Sequence, residues 1–531
     1  MSQSPIGLDR TLEKVNSNGN TGSTRTLTLI IWLWGAGLAA TAFAVGVLAA
    51  THWLYSFWGN QGGGGDQLNF ALYLARGENY FTRPDTYPML TPQFGGLFPL
   101  LLAPWVYAFG PKLLYGNILG VLSFAVTLAA VGLAAKICSG RYMSIPLAWG
   151  LLLTMRRVSD GYGWNRPDSL AAALVAVSLL CLLRNEMKWA ALHANSICLT
   201  IGAATAVLAV FSKQTAICML VGTCVYFGVS RATRGLLQYV SVSLLFGVPI
   251  VLIAQRLTAG GYLYNVLTLT GAMTTFSFSH WLRNSGLFTL GNMGALCLFA
   301  VAVYGLFRRG IRRGALSSVT VVTCVLMLFG YGTCWHVGAG LCYFLFATIG
   351  LAVTGGVVAA NWLSSTCRNR WVACAAFLLF TVGQVALNYL TPWRTLKETW
   401  PLPWSISRPN LANAELLFER TRHLDGEVLF DKLSGIAVLQ GRRVEIESSI
   451  LAALKARKLW NPKVLLDDLN RRRWRYIVAL SWEPDSPLVF FGDAELDAAF
   501  RSGYQCFEDF PLGTPSAMNA PSAHLCRARS N

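Results

Sequence analysis

Residues Gly59 to Phe94 read GNQGGGGDQLNFALYLARGENYFTRPDTYPMLTPQF and follow the first long hydrophobic run of the chain. Four glycines precede Asp66. Glycine has no Cβ, so backbone there can turn tightly or pass close to a ligand, and an acid behind such a run can be held firmly at a site. The same composition also describes a flexible loop with a solvated acid, and the stretch by itself leaves both readings open. From Gln67 to Ala75 apolar residues recur at helical spacing, which predicts a short amphipathic helix lying along a membrane surface. TYPMLTPQF, rich in aromatic residues and proline, suits the bilayer interface better than the bilayer core.

The chain around this stretch is that of a polytopic membrane protein. Its 531 residues are 54% hydrophobic and 13% charged, with 18 Trp, and the mean hydropathy is +0.46. The formal charge of +18 would suggest nucleic acid in a soluble protein. Here the basic residues lie mostly between hydrophobic runs, where they set topology, and nucleic acid is not expected as a partner. The 13 Cys are scattered mainly through apolar segments without CxxC or Cys/His spacing, so they read as small buried side chains. Cys506 and Cys526, in a water-soluble part, can pair if that part is outside the cytoplasm.

Eleven spans are expected, most of them near the ~20 residues a helix needs to cross the hydrocarbon. They run Leu27–Ala50, Leu113–Ala135, Ser144–Met155, Ser169–Leu183, Ser196–Phe211, Gln214–Ser230, Leu236–Ala254, Leu287–Phe307, Ala315–Cys334, Gly338–Ala360 and Trp371–Tyr389. Phe94–Gly110 is apolar but broken by Pro99 and Pro104. If it lies at the interface, the basic loops carrying Lys136/Arg141, Arg184/Lys188, Arg231/Arg234, Arg308/Arg309/Arg312/Arg313 and Arg368/Arg370 all fall on the cytoplasmic side. If it spans, all of them face out, so the interfacial reading is preferred. Residues 1–26 then form a disordered cytoplasmic tail and 27–392 a membrane domain with a first outer loop at 51–112. Residues 393–531 form a small extracytoplasmic α/β domain, with strands at GEVLF, RYIVALS and YQCFEDF and helices at Ala452–Lys458, Pro462–Arg473 and Ala494–Ser502. The expected location is the inner (plasma) membrane, multi-pass, with the N-terminus cytoplasmic.

No ionisable residue interrupts the core of an expected span. A transporter or proton pump keeps such residues near the midplane, so the pattern argues for a reaction at the outer leaflet. On that face lie Asp66, Asp160 and, in GWNRPDSLAAAL, Arg166 and Asp168. Asp168 follows Pro167 at the start of a span, where it reads equally as a helix cap and as a functional acid. Lys213 in FSKQTA reads as a snorkelling anchor or as the cation for a phosphate at headgroup depth. In TTFSFSHWLRN, a composition for an interfacial helix, His280 and Arg283 stand beside Trp281. His336 heads the TCWHVGAGLCYF segment, whose small residues suit close helix packing. Glu78 in ARGENYF is either a surface residue of the loop or part of the site.

This layout resembles the membrane-embedded glycosyltransferases of the GT-C class, particularly protein O-mannosyltransferases and the lipid A aminoarabinose transferase. The likeness covers roughly residues 27 to 360 and rests on the order of elements. Asp66 lies in the first outer loop, followed by ARGENY and TYPMLTPQF with Tyr87, then RPD opening a span, the SKQT lysine, and a late GAGLCYF with Tyr343. Relatives often carry Asn where this chain has Cys342, and no second acid adjoins Asp66, so a second carboxylate would have to be Asp168.

The resemblance implies an α-helical GT-C fold and transfer of a sugar from a polyprenyl-phosphate-linked donor to a glycan, lipid or protein acceptor, with inversion. Asp66 would act as base for the acceptor hydroxyl and Asp168 would support it. Lys213, with Arg166 or Arg283, would hold the donor phosphate. His336, Tyr343, Tyr87, Glu78 and His280 would line the substrate. With few acids on the outer face no metal is expected to be required, although a pyrophosphate donor would call for a divalent ion. The other readings are a polymerase or ligase using a polyprenyl-diphosphate glycan, a non-enzymatic transporter of lipid-linked sugar, and a scaffold acting through its soluble tail.

Overall fold

The structure is a computed structural model and describes residues 21–51, 63–155, 166–190, 196–273, 275–311, 314–335, 341–365, 377, 381, 408–431, 433–447, 451, 454–481, 493–512 and 522–530. The expected span Trp371–Tyr389 lies, but for residues 377 and 381, outside them, as do the expected boundary at 392/393, Asp160 and His336.

Apolar runs form a bundle of α1 (Thr21–Thr51), α4 (Leu113–Ser139), α5 (Ser144–Thr154), α6 (Pro167–Ala190), α7 (Ser196–Ser212), α8 (Ile217–Val229), α9 (Thr233–Leu257), α11 (Met293–Arg309), α12 (Ala315–Thr333) and α13 (Leu345–Ser365). Two shorter helices precede α4, α2 (Gly63–Ala75) and α3 (Leu97–Phe109), and α10 (Phe278–Gly291) precedes α11. Among the described residues five helices are long and apolar enough to cross a membrane. Among these, 341–364 sits deepest in the bundle, whereas α9 turns Leu237, Leu244, Leu245, Leu252 and Ile253 outward, the face a lipid-contacting helix presents.

Three expectations change. The span expected at Leu287–Phe307 is not one straight helix: α10 and α11 meet at a bend of 82°. At the break Asn292 leaves helical geometry (φ −130°) and its Nδ2 donates to the Phe288 carbonyl at 2.8 Å. A side chain that bonds backbone in place of the next turn is a regular cause of such breaks. The helix expected to lie along the membrane surface, α2, is instead enclosed by protein, with every residue from Gln67 to Tyr73 buried. Its apolar spacing is answered by α3 on one side and by C-terminal residues on the other. TYPMLTPQF is likewise enclosed: Met89, Leu90 and Thr91 are buried, and Met89 bridges in parallel to Ile446. α3, the core of Phe94–Gly110, is about 20 Å long, too short to cross 30 Å of hydrocarbon, and it exposes Leu100, Trp105, Tyr107 and Phe109.

The C-terminal residues build a four-stranded sheet in the order β1 (Val428–Phe430), β2 (Tyr476–Ser481), β4 (Ser522–Ala528), β3 (Tyr504–Pro511). β1 and β2 are parallel, and the β2/β4 and β4/β3 pairs are antiparallel. Cys506 and Cys526 face each other across β3 and β4 and are joined by a disulfide. The helices α14 (Arg408–Arg422), α15 (Ser434–Leu439), α16 (Lys463–Asn470) and α17 (Ala494–Gly503) accompany the sheet. One apolar cluster is continuous from Leu68, Leu72, Phe98 and Leu170 to Leu417, Ile436, Val438 and Val478, so the sheet region is seated on α2, α3 and α6 by shared burial.

Candidate functional site

Asp66 occupies the first turn of α2, where the unpaired N–H groups and dipole of the helix end favour an acid. Gly65 before it serves a close approach of backbone: a Cβ there would stand 2.3 Å from the Gly435 nitrogen and 2.6 Å from Ser434 Oγ. Thus α2 begins against the start of α15. Ser434 hydrogen-bonds the Asp66 carboxylate and Arg166, just ahead of α6, offers it a positive charge, yet loss of solvent outweighs both and raises the Asp66 carboxyl to about 7.

Arg166 also bears on Asp168. Pro167 opens α6 with no N–H to satisfy, and Asp168 follows it in the first turn. The α6 start is tied to the α7 end, where Ser212 Oγ donates to the Pro167 carbonyl at 2.9 Å. This fixes Lys213, the residue after α7, whose Nζ bonds Asp168 Oδ1 in an ion pair with both side chains more than nine-tenths buried. Lys213 Nζ also stands 5.7 Å from the centre of the Tyr343 ring. Tyr343 is held there by a 3₁₀ turn, Leu341–Phe344, anchored by buried Phe344 stacked on Phe288.

The 86–96 segment joins the two halves of this site. Thr91 donates to Glu447 Oε2 from its nitrogen (3.2 Å) and its hydroxyl (2.9 Å), and the Gln93 carbonyl accepts from Gln214 Nε2. Gly95 then presses on α7, where a Cβ would stand 2.3 Å from the Phe211 carbonyl oxygen. Two residues of extended chain span about 7 Å, so the Glu447 contact and the Lys213 neighbour Gln214 lie at the two ends of one short strap.

Glu447 is a site residue the sequence reading missed. The second acid beside Asp66 is this one: burial and the Asp66 charge together raise its carboxyl to about 8, against the Thr91 bonds. It arrives on an extended segment whose Val444 exchanges both backbone bonds with the Asn69 side chain (3.0 and 3.1 Å), while Met89 N donates to Glu445 O at 2.7 Å and Glu447 N to Met89 O at 3.2 Å. The alternation of Val444 and Ile446 with Glu445 and Glu447 is a strand signal, but pairing to Asn69 and Met89 across some 360 residues has no local signature.

Asp66, Arg166, Asp168, Lys213 and Tyr343 are therefore brought together. The other expected site residues lie elsewhere. Glu78 Oε2 pairs with Arg443 Nη1 at 2.5 Å. The Tyr87 ring lies under the Arg473 guanidinium at 4.4 Å. Both are drawn off by arginines of the C-terminal region. His280 completes the N-cap of α10, its Nδ1 3.0 Å from Ser277 Oγ. Arg283 is exposed on α10, with no hydrogen bond or ion pair to Asp66, Asp168 or Lys213 among the described residues.

The chain has the fold of the GT-C glycosyltransferases. Over 93% of this chain and 98% of the other, it superposes on ArnT from Cupriavidus metallidurans bound to undecaprenyl phosphate, with a TM-score of 0.61 and 12% identity. It matches the Archaeoglobus fulgidus oligosaccharyltransferase in the apo form over 84% of this chain and 69% of that one (TM-score 0.53, 11% identity). The archaeal oligosaccharyltransferase AglB from the same organism, in complex with an inhibitory peptide and a dolichol-phosphate, matches over 94% and 75% (TM-score 0.54, 12% identity). No family model matches the chain. No curated protein matches it in sequence.

Proposed function

We propose that the protein is a glycosyltransferase that moves a sugar from a polyprenyl-phosphate-linked donor to a hydroxyl of a glycan, lipid or protein acceptor, with inversion at the anomeric carbon. The observation that carries this is the half-buried Asp66, held near neutrality in protonation and joined through Arg166 to the Asp168–Lys213 pair. A general base works best when its pKa lies near the ambient pH. Asp66 takes the proton of the acceptor O–H as its oxygen bonds the anomeric carbon. The bond from that carbon to the phosphate oxygen breaks, and its electron pair leaves with the polyprenyl phosphate. Lys213 carries three donors, so it can keep Asp168 and still offer N–H to the departing phosphate, with Arg166 adding charge and Asp168 holding both cations in place. The undecaprenyl phosphate and dolichol-phosphate named for the structural neighbours support a lipid-phosphate donor.

The reaction faces the side opposite the basic loops, at the extracytoplasmic surface of the inner (plasma) membrane, with the N-terminus cytoplasmic and the C-terminal α/β domain outside. Among the described residues the five long helices and the bent pair are six of the crossings that topology calls for, α3 lying at the interface. No divalent ion is required, because the phosphate charge is met by Lys213 and Arg166. Purified protein in nanodiscs, supplied with polyprenyl-phosphate sugars, is the test: Asp66→Asn abolishes transfer while the protein stays folded, and chelator leaves the wild-type rate unchanged. Transfer that survives Asp66→Asn refutes the assignment of the base, and transfer restored by Mn²⁺ or Mg²⁺ after chelation refutes the metal-free mechanism.

A further inference from the structure

Glu447 has one carboxylate oxygen committed and one open. Oε2 receives both donors of Thr91, whereas no donor reaches Oε1 among the described residues. Its main chain is clamped through Met89, and the segment before it through Asn69, so the side chain is delivered at a fixed place beside the α2 start. The groups that face Asp66 are Ser434 from α15, Arg166 from the residue before α6, and Glu447; those that face Glu447 are Thr91 and Asp66. Both carboxyls are ringed by protein yet keep part of their surface open. One guanidinium against two nearby carboxylates leaves a net negative charge in a poorly solvated corner, and a single proton on the pair removes it.

We propose that Asp66 and Glu447 hold one proton between them, and that Glu447, supplied by the C-terminal region, is a positioning residue that keeps Asp66 as the anion able to take the acceptor's proton. The proposal rests on the glycosyl-transfer reading for its catalytic consequence, though not for the proton sharing itself. A protonated Glu447 is a donor and can orient the Asp66 carboxylate, leaving its other lone pairs toward the incoming hydroxyl. Loss of that proton at higher pH and gain of a second at lower pH then set the working range of the base.

Infrared titration and a transfer assay on the intact protein in nanodiscs, both in chelator, with Mn²⁺ and Mg²⁺ binding measured without it, test this. Infrared difference titration of the carboxylic C=O stretch should show a buried protonated carboxyl in the wild type that vanishes as pH rises past about 7 to 8. That signal should be lost in Asp66→Asn and in Glu447→Gln alike. A signal that survives unshifted in either variant overturns the sharing, as does binding of Mn²⁺ or Mg²⁺ by the wild type that Glu447→Gln abolishes, which would make the pair a cation site. In the transfer assay, Glu447→Gln puts a neutral donor where the protonated acid stood, so it should keep the acid limb of the kcat/KM profile and remove the alkaline limb set by loss of the shared proton, while Glu447→Asp keeps both limbs. An alkaline limb that persists unchanged in a folded Glu447→Gln protein overturns the role assigned to Glu447. Should Glu447→Gln not fold, the Asp66→Asn spectrum and the Glu447→Asp profile decide. If no lipid-linked sugar is transferred by the wild type, the glycosyltransferase reading falls, and the infrared arm still judges the pair.

Discussion

Removing both members of the Lys213–Asp168 pair should cost little more than removing one. The two side chains are 7% and 8% exposed and in direct contact. Two unit charges about 3 Å apart attract by about 5 kcal/mol at an effective dielectric of 20, and stripping one partner from a buried pair costs about 3–5 kcal/mol because the other charge stays buried. Asp168→Asn leaves Lys213 unpaired beside Arg166. Lys213→Met leaves Asp168 with the Arg166 charge still bearing on it, so the lysine variant should be the milder of the two. The double variant carries no buried pair and should lie within about 1–2 kcal/mol of either single variant, giving a coupling energy of about 3 kcal/mol. Unfolding free energies in mixed micelles, by graded denaturing detergent or steric trapping, measure all four corners of the cycle. Additive single effects would refute the claim that the pair acts as one buried unit.

Three further outcomes follow from contacts described above. Because the Asp66 and Glu447 carboxyls are raised in the folded state, folding takes up protons; stability is full below the unfolded range near pH 4 and is lost as pH rises through about 7 to 8. Melting temperature should fall over that window, and Asp66→Asn or Glu447→Gln should flatten the fall. Gly65→Ala sets a methyl 2.3 Å from the Gly435 nitrogen and should unseat α15 from α2, about 1–3 kcal/mol, read as faster tryptic cleavage of the C-terminal region. Replacing Cys506 and Cys526 by Ser opens a 20-residue loop and should lower the stability of the β3/β4 pair by about 3 kcal/mol, measurable as faster amide exchange at 504–511 and 522–528.

What could be read in advance divides along local and distant causes. Most helices from Leu113 to Ala360 follow from apolar length, though the break at Asn292 does not, and Asp168 and Lys213 stood out because a charge at the head of an apolar run is conspicuous whatever it touches. The strands at 428–430, 476–481 and 504–511 carry β-branched and aromatic runs, and they formed where those runs stand. SAHLCRA, which became β4, carries one β-favouring feature too few, and its strand character comes from the two neighbours that bond it on either side. The burial of α2 was hidden because an amphipathic stripe says that a face is covered without saying by what, and here protein took the place expected for lipid headgroups. Glu447 was hidden for the same reason: its partner is Thr91, and sequence distance gives no hint of that meeting.

The strap at 86–96 and its partner segment at 444–447 have a consequence for biosynthesis. Everything the ribosome has made up to α13 holds Asp66, Arg166, Asp168 and Lys213, yet the wall behind Asp66 is built from residues 434–447, which emerge later. A nascent chain already made through α13 thus lacks one side of this site until the later segment has been translated and has docked.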